Sequence, residues 1–182
     1  MQDVEMFACK GFAPGLIATC GKGKYQYHPG LNVTDKAFCA RTGFHCAENP
    51  LECFNWYSWD GKNEFWLVIP KGDIDDDGSK ISCTEIELVA RLNELRFLRL
   101  TQAYLLGHPE SENGWTHRFS GPIHVYKGKN IAVKGAIGDW ILLINTFAKG
   151  VASSTIIHID GDKYKPNTLY GIDRNGKIYE KK

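Results

Sequence analysis

RTGFHCAENPLECFNWYSW, which runs from Arg41 to Trp59, is the stretch that decides how the first half of this chain folds. Within it, Asn49 precedes Pro50, and Glu52 follows three residues after Asn49. An asparagine at the N-cap accepts a hydrogen bond from a backbone N–H of the first turn. A proline at the first helical position lacks an N–H that would have no partner there. A glutamate at the third position can accept a hydrogen bond from the backbone N–H of the cap residue. The stretch therefore predicts a helix that begins at Pro50 and ends near Tyr57.

The same stretch carries His45, the residue in it that is best suited to chemistry. Gly43 predicts a tight turn that orients Phe44 and His45. An imidazole changes its charge near neutral pH, which makes His45 a candidate for catalysis or ligand binding. A half-buried histidine that is held by hydrogen bonds for structural reasons is the more frequent alternative.

Two strands and a second helix are predicted after this stretch. EFWLVI (Glu64 to Ile69) is aromatic and branched almost throughout and ends at Pro70, and ISCTEIELV (Ile81 to Val89) has the same β character. Apolar residues then recur at three and four, and Gly107 has the position of a C-cap, so that Asn93 to Leu106 is predicted to be helical. The first half is thus predicted to be a mixed α/β unit with an antiparallel sheet and two helices.

A polar connector separates this half from the rest of the chain. HPESENG, from His108 to Gly114, lacks periodicity and is typical of a segment between two units. Beyond it, short β-type segments alternate with turn dipeptides such as Asn175-Gly176. The sequence therefore predicts an α+β protein, with an N-terminal α+β domain at residues 1–107 and a mainly β domain at residues 115–182.

The composition and charge argue against several classes of protein. The 182 residues carry a formal net charge of +1, which gives no electrostatic case for nucleic-acid binding. No apolar run approaches the length of a membrane span, and MQDVEMFACK at the N-terminus has acids where a signal peptide needs basic residues. We therefore expect a cytoplasmic chain, away from membranes, whose six cysteines are free thiols.

The acidic segment between the two predicted strands is a candidate cation site. Asp73, Asp75 and Asp77, followed by Gly78, match the opening of a calcium loop, where short carboxylates converge on a hard cation. The twelfth position is Thr84 rather than a glutamate, and predicted strands rather than helices flank the segment. A solvated hairpin tip is therefore the favoured interpretation, with a weak Ca²⁺ site at the three aspartates as the alternative.

A zinc site is the second metal hypothesis. Cys39, Cys46 and Cys53 are spaced by seven, and His45 lies among them. The usual ligand spacing is missing, so the sequence gives this hypothesis little support.

Four phrases stand out along the chain. They are Lys10-Gly11-Phe12, GFHCAENPLECFNWY, the strand–GDIDDDGSK–strand unit and a tail with Asp-Gly … Lys-Pro-x-Thr-x-Tyr. Together they resemble an uncharacterised family that is found in phages and prophages. The resemblance implies a phage context and an N-terminal domain of unknown function, and it implies no particular activity.

The order of elements in the first half supports a second resemblance. A strand with Lys10-Gly-Phe is followed by GFHCAENP, a helix and a further strand. This order is similar to that of ADP-ribosyltransferases, in which a glycine–aromatic phrase precedes a small helix that closes on NAD. The likeness implies NAD as cofactor and Lys10, His45 and Glu85 as catalytic residues, with Lys10 standing where such enzymes use Arg or His.

These observations leave two functions open. The first is a phage-encoded accessory protein that needs no cofactor and binds a host or phage protein, for example to counter a host defence system. Aromatic residues are candidate anchors for such an interface, namely Trp56, Tyr57, Trp59, Trp66 and Trp115. The alternative is an ADP-ribosyltransferase-like enzyme that uses NAD. The short strands of the C-terminal unit, with exposed edges, also predict a homo-oligomer.

Overall fold

A computed structural model describes residues 6–21, 23–109, 116–146 and 152–181. The chain divides into two compact units, Met1–Asn93 and Glu94–Lys182. Strands dominate both units, so the predicted mainly β character of the C-terminal half extends to the whole chain. Trp115 and most of the predicted connector, residues 110–114, lie outside the described residues.

The first unit is built on an antiparallel sheet. Its elements are β1 (Ala8–Phe12), β2 (Ile17–Ala18), β3 (Tyr25–Gln26), β4 (Gly30–Val33), β5 (Phe44–Cys46), a 3-10 helix (Pro50–Asn55), β6 (Glu64–Asp76) and β7 (Ile81–Arg91). The sheet has the order β1-β6-β7-β4, with β5 also paired to β7, and β2 and β3 form a separate hairpin. β1 begins at Ala8 and contains Lys10, Gly11 and Phe12.

The pairing of β5 brings distant parts of the sequence together. His45 in β5 lies opposite Ser82 in β7. Just beyond β5, Ala47 and Cys9 exchange two backbone hydrogen bonds of 2.8 and 2.9 Å. The pairings from β1 through β6, β7 and β5 therefore return to β1, and they place Lys10 and His45 on neighbouring parts of the backbone.

The strand that was predicted to end at Pro70 continues to Asp76. β1 pairs with β6 only as far as Val68, and β7 covers the other side of β6 at Pro70, where the partner is Ile86. At Pro70, β6 has no β1 residue beside it. The missing N–H of the proline therefore interrupts no hydrogen bonds to β1, and the strand can continue. The prediction was wrong here because it treated Pro70 as a stop without regard to edge position.

The helix predicted from the Asn49-Pro50 signal begins where expected but is short. Asn49 is its N-cap, and the Asn49 side chain accepts from the N–H of Leu51 at 3.1 Å. The helix is of the 3-10 type and ends at Asn55 rather than near Tyr57. Leu51 and Tyr57 are both buried.

The second unit packs a helix on one sheet. Its elements are α1 (Glu94–Gly107), β8 (Thr116–Ser120), β9 (Ile123–Gly128), β10 (Ala132–Val133), β11 (Trp140–Thr146), β12 (Ala152–His158), β13 (Tyr170–Ile172) and β14 (Ile178–Glu180). One sheet has the order β12-β11-β9-β8, with β9 and β11 parallel, and β10-β13-β14 form another. α1 contacts β9, β11 and β12, whereas the sequence assigned this helix to the N-terminal domain.

α1 is the longest helix in the described parts of the chain, with 14 residues. It includes Gly107, which was predicted to lie just beyond the helix as a C-cap. None of the described helices combines the length and the apolar character that a membrane span requires.

Candidate functional site

The first unit contains a cavity of about 870 Å³. This volume falls in the range of sites that bind small molecules. Its wall combines residues from β1, β5, the 3-10 helix and the β2–β3 hairpin, so the pairing of β5 with β1 and β7 is what assembles it. We call it the Lys10 cavity, after the most deeply buried charged residue in its wall.

Lys10 reaches this cavity from the middle of β1. Only 7% of the residue is exposed. Its Nζ donates a 2.5 Å hydrogen bond to the carbonyl oxygen of His45 and lies 5.3 Å and 5.0 Å from the ring centres of Phe12 and Tyr27. No carboxylate in the described parts of the chain forms an ion pair with it. Burial therefore lowers the pKa of Lys10, because the charged form loses its hydration.

His45 lines the same cavity from β5. Gly43, at a φ of 91°, makes the predicted turn before it, and a side chain at position 43 would meet Oγ of Ser82. Nε2 of His45 accepts from the backbone N–H of Ala40 at 3.1 Å. Burial lowers the pKa of His45, and the neighbouring charges of Lys10 and Lys80 lower it further. Both features favour a neutral imidazole with its proton on Nδ1.

Aromatic rings form much of the wall. Tyr25, Tyr27 and Phe44 pack edge to face, with ring centres 4.6 to 5.2 Å apart. Tyr57 enters from beyond the 3-10 helix, and its hydroxyl accepts from the N–H of Thr19 at 3.0 Å. Trp56, which is 57% exposed, also lines the cavity. Such rings offer flat apolar faces to a planar ligand.

Two thiols in the cavity wall, those of Cys9 and Cys46, favour the protonated form. Burial raises the pKa of Cys9, and contact with Cys53 raises it further. A hydrogen bond with Cys83, together with burial, raises the pKa of Cys46. Because a thiolate is the nucleophilic form, these residues are poor candidates for covalent catalysis.

The charged residues in the wall are mostly basic. Among the described residues that line the cavity, Glu52 is the one carboxylate. The basic residues there are Lys10, Lys24, Arg41, His45 and Lys80. Lys80 is paired with Asp77 at 2.7 Å, and Glu52 accepts from Nδ2 of Asn55 at 2.7 Å. The balance of charge favours an anionic ligand.

The third residue expected at the site, Glu85, lies elsewhere. It belongs to β7, opposite Val33 of β4 and Lys71 of β6, and does not line the cavity. The structure thus brings Lys10 and His45 together and places Glu52, rather than Glu85, in the wall of the same cavity. The sequence had assigned Glu52 to capping only. Its position on the first turn after Asn49-Pro50, close in sequence to His45, was the signal that could have identified it.

The three aspartates do not converge on a common point. Asp73 and Asp75 belong to β6, and Asp75 accepts from the N–H of Cys39 at 2.7 Å. Asp77 accepts from the N–H groups of Ser79 and Lys80, both at 3.0 Å. The side chains of Lys80 and Ser79, and then these N–H groups, hold the pKa of Asp77 far below its ordinary value. In the described residues, no three His, Cys, Asp or Glu side chains are placed to share a metal ion, which applies equally to the zinc hypothesis.

The fold and the cavity define a mainly β protein whose first unit has a site large enough for a small molecule. A family model described as a domain of unknown function, DUF7666, matches residues 6–100, and the chain belongs to this family. The match covers the first unit and the first half of α1. No curated protein and no solved structure matches the chain.

Proposed function

We propose that the first unit is an enzyme domain that binds NAD in the Lys10 cavity and transfers ADP-ribose. The observation that carries this proposal is the placement of Lys10 and His45, 35 residues apart in sequence, in the wall of one ligand-sized cavity. A filled core at this position would instead have favoured a protein that acts only by binding.

The wall of the cavity suits a dinucleotide. The diphosphate of NAD is anionic, and Lys24 and Arg41 offer it positive charge. The nicotinamide and adenine rings are planar, and Tyr25 and Tyr57 offer ring faces on which planar groups stack. Lys10 and His45 then remain to contact the nicotinamide ribose, where the reaction takes place.

The reaction would break the bond between the ribose C1′ and the nicotinamide nitrogen, while a nucleophile of the acceptor, or water, would form the new bond to C1′ and lose its proton to a base. Positive charge develops on the ribose as nicotinamide leaves, and a carboxylate stabilises that charge. Glu52 is the one carboxylate among the described residues of the cavity wall, so we assign this role to it in place of Glu85. The neutral His45 adds no repulsive charge, and Nζ of Lys10 can donate a hydrogen bond to a ribose hydroxyl or a carbonyl oxygen of the ligand.

Calorimetry with NAD, followed by release of nicotinamide, tests the proposal. We expect binding to wild type and loss of nicotinamide release in Glu52→Gln, with near-normal release in the matched variant Glu85→Gln. Labelled NAD incubated with a host lysate would show whether a macromolecule is the acceptor. Absence of NAD binding to the folded wild-type protein would refute the proposal.

A second candidate function, binding of a host or phage protein, is favoured by a separate observation. β4 lies at one edge of the sheet, and its Leu31 and Val33 are 46% and 61% exposed. Apolar side chains on an edge strand suit a partner that adds a strand. With the phage resemblance, this supports an accessory protein in the host cytoplasm that acts against a defence system.

The binding candidate has its own test. A pull-down from host lysate with wild type is compared with Leu31→Glu/Val33→Glu, using Ile137→Glu as an equally exposed control in the second unit. A stoichiometric partner that is lost only in the double variant supports this function. Recovery of no such partner argues against it. The predicted homo-oligomer through the C-terminal unit is checked by solution mass.

A further inference from the structure

We propose that Lys10 is a reactive amine that forms an imine with a carbonyl group of the molecule bound in the Lys10 cavity. The proposal deepens the proposed function, because it concerns the same cavity and names the class of ligand that reacts there. That class is an anionic, ring-bearing aldehyde or ketone. The open-chain aldehyde of ADP-ribose, the group that NAD would transfer, is one member.

The geometry around Nζ of Lys10 is the first support. The nitrogen belongs to a residue that is 93% buried and yet lines a cavity of about 870 Å³. It makes one hydrogen bond, to a backbone carbonyl oxygen, and no ion pair with a described carboxylate. A lysine that served only the fold would be expected to reach solvent or a carboxylate.

The surroundings also shift Lys10 towards the neutral amine, compared with a lysine in water. Burial lowers the pKa of Lys10. The titratable groups that face it from the neighbouring elements are thiols, an imidazole and a phenol: Cys9, Cys20, Cys46, Cys53, Cys83, His45 and Tyr27. Negative charge on Cys20, Cys46, Cys53 or Cys83 would favour the ammonium, but burial has the larger effect on the pKa of Lys10. Tyr27 is held in its neutral form because burial raises its pKa. A desolvated lysine in a largely apolar site is the usual form of a lysine that makes Schiff bases.

The covalent step balances without any oxidant or reductant. The lone pair of Nζ adds to the carbonyl carbon, and the π electrons move to the carbonyl oxygen. A proton passes from nitrogen to oxygen, and the resulting carbinolamine loses water to give the imine. Hydrolysis reverses the step with the same water. His45, a neutral imidazole in the same wall, is available to move these protons.

Pyridoxal 5′-phosphate is a suitable probe, because it carries a ring, a phosphate and an aldehyde. Wild-type protein is mixed with less than one equivalent of the probe, reduced with borohydride, digested and analysed by mass spectrometry. We expect the label on Lys10 ahead of the exposed Lys62, and the ratio of the two labels should rise as the pH is lowered from about 9 to 7. Pyridoxine 5′-phosphate, which has no aldehyde, should leave no label, and Lys10→Arg should lose only the cavity label.

The outcomes separate this proposal from the proposed function. A label on Lys62 with none on Lys10 would overturn the reactive amine, whatever the result with NAD. If NAD binds by calorimetry and protects Lys10 from labelling, both proposals are supported. If Lys10 is labelled but NAD neither binds nor protects it, the reactive amine is supported and the proposal that the cavity binds NAD is refuted. The principal measurement is made on wild type, so it does not depend on whether a variant folds.

Discussion

Ala40 donates its backbone N–H to Nε2 of His45, with a distance of 3.1 Å between the two nitrogens. Protonation of His45 would turn this acceptor into a donor and break the bond. The neighbouring Lys10 and the burial of the ring act in the same direction, since both disfavour the charged form. The hydrogen bond and the electrostatics therefore agree on a neutral His45 at physiological pH.

This relationship predicts a pH dependence of stability. The pKa of His45 is lowered in the folded protein. As the pH falls below about 6.5, His45 therefore takes up a proton in the unfolded chain while it stays neutral in the folded protein. The free energy of unfolding should then fall as the pH is lowered from 6.5 towards the pKa of His45 in the folded protein. Below that pKa, His45 should make no further contribution to the pH dependence. NMR titration of the His45 ring measures that pKa directly.

The matched variant is His45→Gln, whose amide oxygen can still accept from Ala40. It should reduce the slope of stability against pH in that window, and His28→Gln, at an exposed histidine, controls for the loss of a ring. A ring of His45 that titrates at or above 6.5 would contradict the prediction.

A second prediction concerns the close approach of Gly11 to Tyr57. A Cβ added at Gly11 would lie 2.7 Å from Cδ2 and 3.0 Å from Cγ of Tyr57. Gly11→Ala should therefore push this ring, which lines the cavity, and lower the free energy of unfolding by about 1–3 kcal/mol in urea titrations. Gly107→Ala is the control, because an added Cβ there has open space and should be neutral or stabilising by up to about 1 kcal/mol. Equal effects of the two changes would argue against the steric explanation.

The elements with local chemical signals could be predicted from the sequence. Asn49-Pro50 marked the start of the 3-10 helix, and Gly43 marked the turn before β5, because capping and a positive φ are decided by a few adjacent residues. The extent of β6 could not be predicted in this way. Whether Pro70 ends a strand depends on whether a neighbour needs its N–H, and that neighbour, β1, lies more than fifty residues earlier.

The candidate site shows the same limit. Lys10 and His45 were singled out by residue type, and the fold brings them together through the bridge between Cys9 and Ala47. Glu52 was not considered as a site residue because its place in the capping signal already explained it, and strand periodicity did not reveal which face of β7 carries Glu85. The tyrosines in the wall were not predicted either, since Tyr25 and Tyr57 come to line the same cavity only through long-range packing.

A third prediction tests the N-cap of the 3-10 helix. The Asn49 side chain accepts from the N–H of Leu51, so Asn49→Ala should leave this donor without its partner and cost about 0.5–2 kcal/mol of stability. Asn49→Asp retains an acceptor oxygen and should lose much less. Urea unfolding of the three proteins measures the difference. A loss of equal size in both variants would show that the hydrogen bond is not the cause.

The aspartate segment gives the last prediction, which concerns calcium. The Asp77 carboxylate accepts hydrogen bonds from Ser79 and Lys80, and the Asp75 carboxylate accepts one from the N–H of Cys39. Both carboxylates are therefore already bound by groups of the protein. Millimolar Ca²⁺ should therefore leave Tm unchanged, since a ligand that bound the folded state alone would raise it. Asp77→Asn should lower Tm by the same amount with and without calcium. The variant loses the ion pair with Lys80, and it has no cation site to lose. A calcium-dependent rise in Tm for wild type that Asp77→Asn abolishes would instead establish a cation site at this hairpin.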